Sequence, residues 1–301
     1  MKLKQASTRR CALGKAPHWD DRSATLIYVD GINSEVIRFD PEAQEETEVI
    51  NVGGSVGNAI PCTQDERKVM ACIDNGVYKL DLDSRDQTLL AQVDDRDSTI
   101  QTVFNDGKCD AMGRLWTGTM PKEMDTKASV GKVCNLYCYS KGKLQLKLPH
   151  VSLSNGIAWT ADNRTMFFND SVLGKTYAFD FDLKAGNIQN RQVLTDFKST
   201  FGYRDCGVPN GMTTDVDDKI WMTCFGTGTV LQIDPETAKI LTRISLPTKY
   251  TTSCCFGGKS YDVLYVTSGS LKPDATGPDD GLLYQITELG AKGRAPSEFV
   301  C

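Results

Sequence analysis

The sequence predicts an all-β protein, a six-bladed β-propeller built as a single domain over residues 1–301, with 1–12 as a polar N-terminal segment. Three observations lead there. A phrase of strand, turn and strand recurs six times, at intervals of roughly 43 to 55 residues, the range of four-stranded blades. The strands are short, alternating and rich in Val, Ile, Tyr and Phe, with Gly, Asp and Asn turns between them. A helical period of 3.6 is nowhere sustained. A pair of β-sandwiches is the competing architecture. With 301 residues and 40% hydrophobic composition, the chain has ample material for one large core.

The first copy of the phrase is Thr25-Leu26-Ile27-Tyr28-Val29-Asp30, a turn, and then residues 35–41, which stop at Pro41. The second pairs 68–73 with 76–81. The third pairs 114–118, containing Trp116, with 135–139 after a longer connection. The fourth pairs 164–170 with 175–180, and the fifth pairs 219–223, containing Trp221, with 228–235. The sixth pairs 262–267 with 281–286. Two connections are long, 121–132 and 271–280, and long loops on one rim of a rigid scaffold commonly wall a pocket.

Four short polar stretches, 13–17, 104–107, 154–156 and 208–212, read as loops converging on one point. Each precedes a strand-like run that contains a Trp (Trp19, Trp116, Trp159 or Trp221), so the tips are expected on one face.

Charge and composition exclude several classes. A net charge of -5 and no basic stripe argue against nucleic acid. The basic residues Lys2, Lys4, Arg9 and Arg10 read as a solvated tail. No apolar run approaches the ~20 residues of a membrane span, and the N-terminus lacks an apolar signal core, so the expected location is the cytoplasm. The 11 cysteines are odd in number and irregularly spaced, which fits reduced, buried thiols rather than a disulfide scaffold or a Cys metal site.

At this point a family resemblance is carried by Asn105-Asp106-Gly107-Lys108, Gly118-Thr119-Met120, Ser154-Asn155-Gly156-Ile157-Ala158-Trp159 and Thr252-Ser253-Cys254-Cys255-Phe256-Gly257-Gly258. These phrases resemble the family of regucalcin (senescence marker protein), gluconolactonases and firefly luciferin-regenerating enzyme, from about Leu13 to Val266. The resemblance implies a six-bladed propeller with one divalent cation, calcium or zinc, at the mouth of its channel, and lactone hydrolysis in many members. It places metal ligands at Lys15, Asn155 and Asn210, and substrate contacts at Asn105, Val103 and Glu123.

Three of those positions depart from the family's pattern. A Glu is replaced by Lys15, an Asp by Asn210, and the substrate Arg by Val103. Calcium and zinc sites depend on anionic oxygen ligands to offset dehydration of the ion. Here the local charge changes by about +3. At an effective dielectric near 20, an ammonium about 4 Å from a divalent ion is repelled by roughly 8 kcal/mol. The expectation is therefore an impaired metal site with no cofactor, and a catalytically altered or inactive propeller that binds a small organic molecule. The ammonium of Lys15 has three donors for the amide oxygens of Asn105, Asn155 and Asn210, and so can replace the ion as an internal cation.

A working lactone or ester hydrolase is the alternative, using calcium or zinc held by other ligands, or metal-free chemistry through Lys15. The candidate catalytic groups are then Lys15, Asp170 and His18, although His18 also reads as a hydrogen-bonded framework residue and Asp170 as a loop-orienting one. Asp106 reads as a turn cap. A protein-interaction propeller has only the architecture behind it.

Overall fold

The computed structural model describes residues 1–93, 100–123, 133–270 and 277–301. Among these residues there is no helix, and so none long and apolar enough to cross a membrane. The chain forms six antiparallel four-stranded sheets: five are made of four consecutive strands each, over 14–51, 56–92, 102–151, 154–196 and 208–245, and the sixth joins the three strands of 251–287 to the N-terminal strand Lys2–Gln5. These are blades one to six. The recurring two-strand phrase is the second and third strand of each blade, as in Thr25–Asp30 with Glu35–Asp40.

The innermost strands are Gly14–Asp20, Val56–Cys62, Thr102–Cys109, Ser154–Trp159, Val208–Thr214 and Thr251–Gly257. Each lies against the next around the ring, and the last returns to the first. Sheets that twist and carry one apolar row per face must bury those rows on a neighbour. Accordingly, six apolar clusters lie one between each adjacent pair of blades. Between blades three and four, for example, Trp116, Leu136, Ile157 and Phe168 interdigitate.

Both chain ends are built into the ring. Lys2–Gln5 is the outermost strand of blade six, with Leu3 opposite Ile286. This corrects the reading of the N-terminus as a solvated tail: Lys2 pairs with Glu288, and Arg9 with Glu35. At the other end, residues 288–301 cross the face where the inner strands finish. Lys292 accepts from Val216, Gly293 donates to Tyr261, Arg294 donates to the Trp159 carbonyl, and Val300 donates to Gly113. Cys301 then joins Cys62 in a disulfide, which corrects the expectation that every thiol is reduced. Nine cysteines remain free, and all are buried, as small hydrophobes would be.

Candidate functional site

Every innermost strand carries a register shift against its neighbour within the blade, between Lys15 and His18, Val56 and Asn58, Phe104 and Gly107, Ser154 and Ile157, Pro209 and Met212, and Thr251 and Ser253. A bulge inserts an unpaired residue and re-aims side chains out of the ladder. The four polar stretches are therefore parts of strands that bulge at one level, not loops that precede strands. Trp19 and Trp159 lie on inner strands, but Trp116 and Trp221 lie on the second strand of their blades.

Close approach at this level explains the glycines. A Cβ on Gly156 would stand 2.5 Å from the Asn210 carbonyl oxygen, and one on Gly211 would stand 2.6 Å from Ser253 Cα. Gly156 thus lets the bulges of blades four and five touch, carrying Asn155 and Asn210 toward one another.

The mouth at the start of the inner strands is organised around Lys15, whose side chain is 5% exposed. Its Nζ donates to Asn105 Oδ1 at 2.7 Å, and Asn105 Nδ2 donates onward to the Ser154 carbonyl at 2.8 Å. Asn58 Nδ2 in blade two donates to the Asn105 carbonyl at 2.9 Å and fixes that bulge from the other side. Blades one to four thus meet in one hydrogen-bonded network, and Asn155, next in sequence to Ser154, is buried. Burial lowers the Lys15 pKa to about 8, against the opposing pull of Asp106.

The sequence reads Asp106 as a turn cap. It stands instead on a bulge within Thr102–Cys109, buried, with Oδ1 accepting from the Gly107 amide at 2.9 Å. Burial pushes its carboxyl pKa up, opposed by Lys108 and Lys15, which both act on it. Lys108 is held down by burial, with Asp106 acting the other way, and its Nζ donates to the Met212 carbonyl at 2.7 Å. Lys15, Asp106 and Lys108 thus form a charged column along the channel. Period-two alternation across Asp106-Gly107-Lys108 was the available signal, but the bulge that sets its direction leaves no mark in composition.

The other predicted residues separate. Val103 is buried two positions before Asn105 and opposite Met120. Glu123 is exposed, two residues past Leu115–Pro121; the rest of its loop, 124–132, lies outside the described residues, as do residues 271–276 of the other long connection. Asp170 accepts from the Ser152 and Leu153 amides at 3.2 and 3.3 Å, the loop-orienting role, and Asp30 does the same for Ala12 and Leu13 in blade one. His18 does not join Lys15. It lies past the bulge, buried at the opposite mouth, where burial lowers its pKa to about 3 and Nε2 has no hydrogen-bond partner, so the framework reading fails for that atom. Cys254 and Cys255 are free and buried thiols with raised pKa values, the former pushed up to about 12 by desolvation.

Fold and site together define a six-bladed propeller with a polar, charge-bearing channel mouth. The family described as SMP-30/Gluconolactonase/LRE-like region matches residues 13–270, and the chain belongs to that family. It is 34% identical to regucalcin of Xenopus laevis over 292 residues, 95% of this chain and 94% of that protein. A solved luciferin-regenerating enzyme superposes with a TM-score of 0.92 at 25% identity, covering 100% of this chain and 99% of the other. A calcium-binding protein, regucalcin from Agrobacterium tumefaciens, superposes at 0.88 with 24% identity, covering 100% and 98%, a likeness of fold.

Proposed function

We propose that this propeller binds a small anionic or carbonyl-bearing organic molecule at the Lys15 mouth, with the lysine ammonium standing as a fixed cation where relatives of this family hold a metal. The observation that carries the reading is the buried 2.7 Å contact from Lys15 Nζ to Asn105 Oδ1. The donor set does not suit a divalent ion. Among the described residues no group of three His, Cys, Asp or Glu is placed to hold one. Asp30 and Asp170 spend their oxygens on backbone amides, and the amides of Asn155 and Asn210 bring no charge. A divalent ion would share the mouth with an ammonium that the protein already solvates, and Lys15 has two further N–H donors for a ligand oxygen.

Calorimetry on chelator-treated protein tests this. Calcium and zinc should give no binding heat with the native chain, whereas Lys15→Glu combined with Asn210→Asp should bind one of them. Stoichiometric binding by the native chain would overturn the reading.

A second reading is favoured by the Lys15 pKa of about 8. A desolvated lysine near neutral pH is part unprotonated and can act as a base or nucleophile on a lactone without a metal. Lactone hydrolysis that survives a chelator and disappears in Lys15→Ala is its signature. Hydrolysis that a chelator abolishes would return the chemistry to a metal.

A further inference from the structure

The lower mouth, where the inner strands end, holds chemistry that the Lys15 site does not use. A half-open cleft of about 210 Å³ is bounded by the ends of the inner strands of blades one, three, four, five and six, and roofed by Arg294, Ala295, Pro296 and Ser297 of the C-terminal strap. Pro17, Ala158, Trp159 and Phe256 give it an apolar wall, while His18, Lys108 and Thr213 bring polar groups to it. His18 is 4% exposed, and its Nε2 finds no hydrogen-bond partner. Leaving a buried imidazole nitrogen unpaired is costly, so a group that pairs with it is favoured.

Charge points to the same conclusion. Lys108 brings an ammonium to the cleft, with the Asp106 carboxyl as its charged neighbour in the channel. Lys108 Nζ uses one donor on the Met212 carbonyl and keeps two. An ammonium in a poorly solvated channel attracts an anion far more strongly than the same group in water.

We propose that the lower mouth is a second binding site, taking a small monocarboxylate with a short apolar tail, its carboxylate on Lys108 and His18 and its tail against Trp159 and Phe256. Size and charge decide the class. The cleft is small and half-open, with its apolar wall beside its polar groups, which suits an acid of a few carbons. The two unused Lys108 donors and one neutral imidazole match a single carboxylate, whereas a phosphate dianion would need more donors than these. Arg294 does not supply them, because its guanidinium is committed to Asp218, the Trp159 carbonyl and Thr214 Oγ1. The inference is independent of what binds beside Lys15.

The chain has two histidines, His18 and the exposed His150, so carbon-13 histidine labelling gives two ring signals, one per mouth-facing and one per solvent-facing ring. Titration with butyrate at pH 7 should move the His18 signal saturably, with a midpoint of roughly millimolar, and leave His150 in place. Butylamine, of matching size and opposite charge, should leave both unmoved. Lys108→Met should weaken the butyrate response about tenfold or more. Lys108 also supports the Met212 carbonyl, so Ala111→Trp, at an exposed position lining the cleft, provides an independent variant that fills it and should abolish the response. No saturable His18 shift, an equal response to butylamine, or a butyrate response unchanged in either folded variant would each overturn the proposal.

Discussion

At the scale of single residues, Lys15 sets the properties of the upper mouth through the cost of burying its charge. Its folded pKa of about 8 lies below the ordinary 10.5, so between those values the unfolded chain binds more protons than the folded one. Stability attributable to this residue therefore rises with pH through that window and is lowest below pH 8. The shift corresponds to on the order of 3 kcal/mol. Other groups titrate there as well, and buried thiols push the opposite way, so the informative quantity is a difference. In urea unfolding at pH 7.5 and 10.5, the native protein should gain about 3 kcal/mol relative to Lys15→Met as the pH rises. A difference that stays constant would mean that the ammonium is well hydrated. Position-by-position reading of the sequence brings Lys15 to Asn105, the pair joined by the 2.7 Å contact, because the residues around them fix their places in the repeat. Asp106, Lys108 and Asn58 escaped because their relevance lies in which way a bulged backbone turns them, and nothing in a residue's identity encodes that.

At the scale of elements, the inner strands are the functional unit, and the bulge is what makes them so. Straight ladders would keep the polar residues in register with their partners; the shift after Lys15, Phe104, Ser154 and Pro209 releases them into the channel. The same geometry demands glycine for reasons of space. Gly156 is not in a left-handed conformation, and an added Cβ would meet the backbone of Asn210 and Met212, which cannot rotate aside. Gly156→Ala should cost about 1–3 kcal/mol and spread blades four and five. Denaturant midpoints, compared with Gly142→Ala, check this. Gly142 has φ of +78° and open space around it, so its alanine variant should lose only about 1 kcal/mol through strain. Equal losses would remove the steric argument. The sequence reads these polar stretches as loops because Asn-Gly and Pro-Asn-Gly ordinarily mark turns. Here glycine serves interstrand contact, a long-range cause that local punctuation does not reveal.

For the whole molecule, the repeat makes the number of blades legible from sequence, while ring closure is decided by contacts between distant segments. A propeller has a seam, and this one is closed twice. The strand Lys2–Gln5 completes blade six, and the C-terminal strap touches blades around the lower face before Cys301 bonds to Cys62. Neither closure follows from the spacing of the 11 cysteines, because the bonded pair is separated by 239 residues and only the folded ring brings its members together. The disulfide restrains the unfolded chain as one very large loop, worth up to about 5 kcal/mol by chain entropy. Cys301→Ser should lower the denaturation midpoint accordingly. A reducing agent should shift the native protein toward the variant's midpoint while leaving the variant itself unmoved. If reduction moved both equally, the effect would lie elsewhere; if it moved neither, the strap would be held by its backbone pairs and ion pairs alone. Because the strap also roofs the cleft that contains His18, the comparison bears on access as well as stability. A loosened strap should speed hydrogen exchange at Val216 and Thr63, whose amides pair with Lys292 and Phe299, before it affects the strands around Lys15.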